Sequence, residues 1–164
     1  MEPGYSRAVG ATRDEATGLW RPEGCVLDLG KVLAVATQTN AAHHALGTEL
    51  LAVERHGVTL GLAWRDDLVE VEGGGLANGV LATLLDHACS LAVWLSLNDE
   101  TRGGATMGVR VDYFAPTESG KGVHVRAECV HQADFVAFVK GSAFHPDRPD
   151  AVLAIGTCTV ATEP

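Results

Sequence analysis

The feature that most constrains this chain is an unbroken apolar run from Val80 to Leu97, rich in Ala and Leu, with Thr83, Asp86, His87 and Ser90 set inside it. As a helix the run measures about 27 Å, close to the length of a membrane span. An ionisable pair at its middle would be costly in lipid. The run therefore reads as a helix covered by protein on most sides, which requires the rest of the chain to supply a wrapping surface.

That surface is legible on both sides of the helix. Upstream, strand-like stretches at about 48–55 and 57–65 flank His56-Gly57, and the second alternates Val58, Leu60, Leu62 and Trp64 with small or polar residues. Downstream the chain turns to strands at about 104–114, 121–131, 135–144 and 151–161. In the first of these Ala105, Met107, Val109, Val111 and Tyr113 alternate with Thr106, Arg110 and Asp112, implying one buried face. The connections are too short for crossover helices, so an antiparallel sheet is expected. Residues 28–46 keep helical spacing at Leu29, Val32, Leu33 and Ala36 and stop at Gly47. Residues 1–27 show no sustained period and read as an N-terminal extension, leaving 28–164 as a single domain, the number a 164-residue chain suits. The expected class is α+β, with five to six antiparallel strands around one long helix. Such a sheet leaves edges and a face uncovered, so a homodimer or homotetramer is expected.

Composition narrows the function classes. Twelve Lys and Arg against twenty-one Asp and Glu give a net charge of -9, which disfavours nucleic acid and anionic membrane as partners. The four cysteines are widely spaced, with no C-x-x-C pair. Free thiols and a cytoplasmic location are expected. His43-His44 are adjacent and face different ways on a helix, so no metal site is expected. The triple glycine at 73–75 lacks the Lys-Ser/Thr of a phosphate loop. Trp94, Phe114, Phe135 and Phe138 are expected in the core, with pocket lining as the alternative.

Chemistry concentrates on the long helix. Thr83, Asp86, His87 and Ser90 lie at offsets of three, four and seven and share one stripe. A carboxylate in so apolar a segment needs partners and suits a general base or nucleophile. Ala77-Asn78-Gly79 at the helix start offers unpaired backbone N–H groups at the positive end of the dipole. Asn78 is also placed to cap the helix. Asn78 and Asp86 stand about 12 Å apart along one helix, too far to share a carbonyl. Helices of two subunits running past each other about a two-fold axis would bring them together.

Gly79-Val80-Leu81-Ala82-Thr83-Leu84-Leu85-Asp86, followed by Val111-Asp112-Tyr113-Phe114-Ala115-Pro116, resembles the phenylacetate-pathway type of hotdog-fold acyl-CoA thioesterase. The resemblance covers about residues 43–161. It implies a hotdog fold and an acyl-CoA substrate with no cofactor beyond it. It also implies Asp86 as the catalytic carboxylate, the Asn78 N–H as oxyanion donor, and Ser90 and Thr106 as supporting hydroxyls. Gly79, Thr83 and His87 are the neighbouring positions expected to meet substrate. The family has His-Gly-Gly where this chain has Ala77-Asn78-Gly79, and Asn where Val71 stands. Glu70 and Glu72 are nearby polar groups in the same loop. Two other functions are open: a weakly catalytic acyl-thioester binding or assembly protein, and a hydratase or dehydratase using Asp86 and His87.

Overall fold

A computed structural model describes residues 11–72 and 74–163. A two-strand hairpin, β1 (Thr12–Arg13) and β2 (Trp20–Arg21), leads into α1 (Leu29–Ala34), a π-helical turn (Val35–Thr39) and α2 (Ala41–Leu46). Then come β3 (Glu49–Val53), β4 (Gly57–Leu62), α3 (Asn78–Leu97), β5 (Gly104–Tyr113), β6 (Val123–Gln132), β7 (Val136–His145) and β8 (Arg148–Thr162). The six longer strands form one antiparallel sheet in the order β3-β4-β6-β7-β8-β5, and it packs against α3. This is the α+β hotdog architecture expected from the sequence.

The helix expected over 28–46 is broken. Asp28 caps α1 by accepting from the Lys31 N–H. The chain then loosens into the π turn and restarts at Asn40, whose extended backbone and side-chain bond to the Ala42 N–H cap α2. Apolar periodicity runs through this break, because Leu29, Val32 and Ala36 all still face the core. Gly47 ends α2 in the left-handed conformation, as its type allows. Within the extension, residues 1–10 lie outside the described residues. Leu19 and Leu27 are buried in the main core, and Arg21 Nη1 donates to the Leu27 carbonyl at 2.6 Å.

The core forms where α3 lies in the sheet's concavity. Leu81, Leu84, Leu85, Ala88 and Leu91 pack among Val58, Leu60, Val125, Val139, Ala154 and Val160. Gly141 and Gly156 register against each other on β7 and β8, and a Cβ on either would approach Leu85 Cδ2 to 3.0 or 3.2 Å. Their bareness admits the Leu85 side chain and seats α3 close to the sheet one residue before Asp86. By length and composition α3 could cross a bilayer, with 20 residues and mean hydropathy 1.6; here it is the sheet that covers it.

Two expectations about burial fail, each for a physical reason. Strand β5 sits at the sheet edge and is exposed along most of its length, with Met107, Val109 and Tyr113 all open. Phe135 and Phe138, expected in the core, are exposed. Phe138 falls between inward-facing Ala137 and Val139, so alternation turns it to the outer face beside His131. Phe114 is also exposed, whereas Trp94 packs partly buried against the core.

Candidate active site

The site begins with a register change. Thr106 pairs with Val160 and Gly108 with Thr159, which leaves Met107 as an extra residue in a β-bulge. Strict alternation would put Thr106 on the face opposite Val109. The bulge puts both on the face of their buried partners Val160 and Cys158, toward α3. The Thr106 hydroxyl then donates to Asp86 Oδ1 at 2.8 Å. Ser90, one turn beyond Asp86, stands 3.2 Å from Thr106 Oγ1. With the Thr106 proton committed to the carboxylate, Ser90 is the donor of that second bond. The result is a hydroxyl chain, Ser90 to Thr106 to Asp86, that fixes one carboxylate oxygen.

Asp86 and Ser90 are half-buried, and Thr83, Gly79 and Asn78 are exposed on the same open side of α3. The Thr83 hydroxyl donates back to the Gly79 carbonyl at 2.9 Å. His87 leaves the stripe. Its ring is buried against the π turn and α2, with Nε2 bonded to the Ala36 carbonyl at 2.9 Å and its face stacked on His43 at 3.5 Å. Burial lowers the pKa of both rings, and burial together with proximity to His87 holds that of His43 at about 4. A neutral, occupied His87 is a core histidine, and it makes no dyad with Asp86.

At the start of α3, Ala77 occupies the N-cap position and makes no side-chain capping bond, so Asn78 is the first helical residue rather than the cap. Its N–H and that of Gly79 belong to the first turn, which has no intrahelical acceptors. Tyr113, at the end of β5, donates its hydroxyl to the Asn78 carbonyl at 2.9 Å and so ties the helix start to the edge strand. Burial raises the Tyr113 pKa. Tyr113 carries no role in the sequence reading; it lies inside the Val111–Pro116 motif, which is the signal that could have found it.

A cleft of about 520 Å³ opens beside this helix start, lined by Glu70, Val71, Asn78, Tyr113 and Phe114 among others. Its wall depends on Gly75, where a Cβ would stand 2.0 Å from the Thr117 carbonyl oxygen. Thr117 in turn donates to the Leu76 carbonyl at 2.9 Å. Cys89 and Cys158 are buried free thiols behind Asp86. The hydrogen bond to Cys158, with burial, pushes the Cys89 pKa up. Among the described residues no group of three or more His, Cys, Asp and Glu side chains is arranged to hold a metal.

One long helix held by an antiparallel sheet, with a hydroxyl-supported carboxylate on the helix face left open, defines a hotdog fold. Residues 73–152 match the family model of the thioesterase superfamily, so the resemblance read from the helix motif and the Val111–Pro116 strand holds. No curated protein sequence matches the chain. Among solved structures it is similar to a Pseudomonas aeruginosa protein, 27% identical over 79% of this chain and 98% of that one, with a TM-score of 0.68. A thioesterase from Haemophilus influenzae is similar at 18% identity, covering 84% and 91% of the two chains, with a TM-score of 0.72. The E. coli PaaI protein, from the phenylacetic acid degradation operon, aligns at 13% identity over 77% and 87%, with a TM-score of 0.67. The last two likenesses speak to fold.

Proposed function

We propose that this protein hydrolyses an acyl or aryl-acyl thioester of coenzyme A, at sites shared between two protomers of a homodimer, or of a dimer of dimers. The superfamily match supports thioester hydrolysis in general. The observation that carries the finer reading is the Asp86 carboxylate, held by Thr106 on the open side of α3.

In this scheme the thioester carbonyl sits against the helix start of one protomer, with the Asn78 N–H facing its oxygen. Asp86 of the other protomer takes a proton from water as the water oxygen attacks the carbonyl carbon. Negative charge builds on the carbonyl oxygen, where a helix-start donor and dipole are worth most. Collapse of the tetrahedral intermediate breaks the carbon–sulfur bond and releases coenzyme A thiolate. Asp86 as nucleophile would instead form an acyl-enzyme anhydride that water then opens. Both routes run on this chain's own groups and need no cofactor. The exposed edge β5, with Val109 and Tyr113 uncovered, is the surface on which a second copy would extend the sheet.

The test is thiol release from a panel of short, medium, long and aromatic acyl-CoAs, comparing wild type with Asp86→Ala. A loss of about 10² to 10⁴-fold in the variant, with fold and oligomeric state retained, is expected for a general base. Wild-type binding without turnover would favour the acyl-thioester binding protein, a reading motivated by Ala77 and Val71 standing where the family has polar residues. A product with an altered double bond and no free thiol would favour hydratase chemistry.

A further inference from the structure

Ser90 has a second environment. Away from Thr106 it lines a cavity of about 470 Å³, whose walls near the helix are Val35 from the π turn and His87, Leu91, Val93 and Trp94 from α3. The size suits a small organic group. The cavity and the hydroxyl chain therefore share one residue, Ser90, and Trp94 lines the cavity one helical turn further from Asp86.

The chemistry of the walls selects the occupant. Leu91, Val93 and Val35 are apolar, and the His87 ring is held neutral by burial, with Nε2 occupied by the Ala36 carbonyl. Two of the charged lining groups are engaged elsewhere: Glu100 pairs with Lys31, and Arg102 donates from Nε and Nη2 to the Glu163 carbonyl. Trp94 lies about 12 Å from Asp86 along the helix axis. Its indole is fixed, because Nε1 donates to the Asp99 carbonyl at 3.2 Å and the ring packs against the core.

We propose that this cavity receives the acyl group and that Trp94 forms its end wall, which makes Trp94 the residue that sets acyl length. The inference rests on the thioesterase reading above and adds the substrate class: a short to medium aliphatic acyl group, or an aryl-acyl group, rather than a long chain. Each methylene that finds apolar cover contributes about fourfold to relative kcat/KM until the wall is met.

The experiment measures kcat/KM for straight-chain acyl-CoAs from acetyl to palmitoyl, with wild type, Trp94→Phe, Trp94→Ala and Phe138→Ala. Phe138 lies on the outer sheet face and serves as the control. The expected result is a wild-type rise with length that stops at short to medium chains. The optimum shifts to longer chains in Trp94→Phe and further in Trp94→Ala, with Phe138→Ala like wild type. Trp94→Phe keeps an aromatic ring in the core, so the series survives if the alanine variant fails to fold. An unchanged optimum in a folded Trp94 variant, or a uniform fall at every length, overturns the end-wall assignment and leaves the thioesterase reading standing. Wild-type inertness toward the whole series removes both.

Discussion

Replacing His43 with Phe should change how the protein loses stability in acid. In the fold, His43 is buried on the face of His87, with Asp86 the nearby carboxylate, and its Nδ1 has no hydrogen-bond partner. Desolvation first, and the neighbouring His87 second, hold its pKa at about 4 against an ordinary 6.5, while Asp86 pulls weakly the other way. The unfolded ring takes up its proton near pH 6.5, but the folded ring resists it down to about pH 4. The stability tied to a neutral His43 is therefore complete above pH 6.5 and drains away as pH falls through that window, by about 3 kcal/mol in all. His43→Phe keeps an aromatic face against His87 and removes that titration. The assay is urea denaturation of wild type and variant at neutral pH and at steps down to pH 4. Carboxylates make both proteins lose stability in acid, so the difference between them carries the result. The variant should gain on wild type by up to about 3 kcal/mol over the descent. Parallel curves would refute the buried neutral stack.

Gly75→Ala should lower the denaturation midpoint sharply, by the equivalent of about 1 to 3 kcal/mol or more, because its Cβ would meet the Thr117 carbonyl. Gly79→Ala, where a Cβ meets nothing within 4 Å, should leave stability equal or higher; equal losses at the two positions would contradict the packing of the cleft wall. Tyr113→Phe removes the tie to the Asn78 carbonyl. It should lower kcat about fivefold with KM nearly unchanged, as the loss of one neutral hydrogen bond that aligns the helix start would. A change confined to KM would assign Tyr113 to substrate binding instead.

The long helix and the four strands after it were legible because their periods, 3.6 and 2, persist over many residues and agree with their turns. The elements that misled are those where two signals compete. Alternation from Ala105 to Tyr113 is real in the sequence, but the bulge at Met107 resets it, and its one local mark is Gly108 beside it. Thr106 would point away from Asp86 by alternation alone; it entered the candidate set through resemblance and met the carboxylate through the bulge. Asn40 was hidden inside a helical pattern because the restarted helix keeps its apolar face toward the same core. Asn78 looks like a cap by residue type, yet Ala77 takes that place because its extended backbone suffices without a side-chain bond. His87 could not be separated from the polar stripe by spacing, since its position depends on the Ala36 carbonyl fifty-one residues away.

If Asn78 of one protomer and Asp86 of the other make one site, two inactive variants should complement each other when mixed. Asp86→Ala removes the carboxylate. Asn78→Pro removes the N–H at the first helical position, where proline is well tolerated. Each variant alone should be nearly inactive in thiol release. Coexpressed and randomly assorted, they should recover about a quarter of wild-type activity, since about half the dimers are mixed and each of those holds one intact site of two. A mixture no more active than the separate variants, with mixed dimers present, would contradict a site shared between protomers.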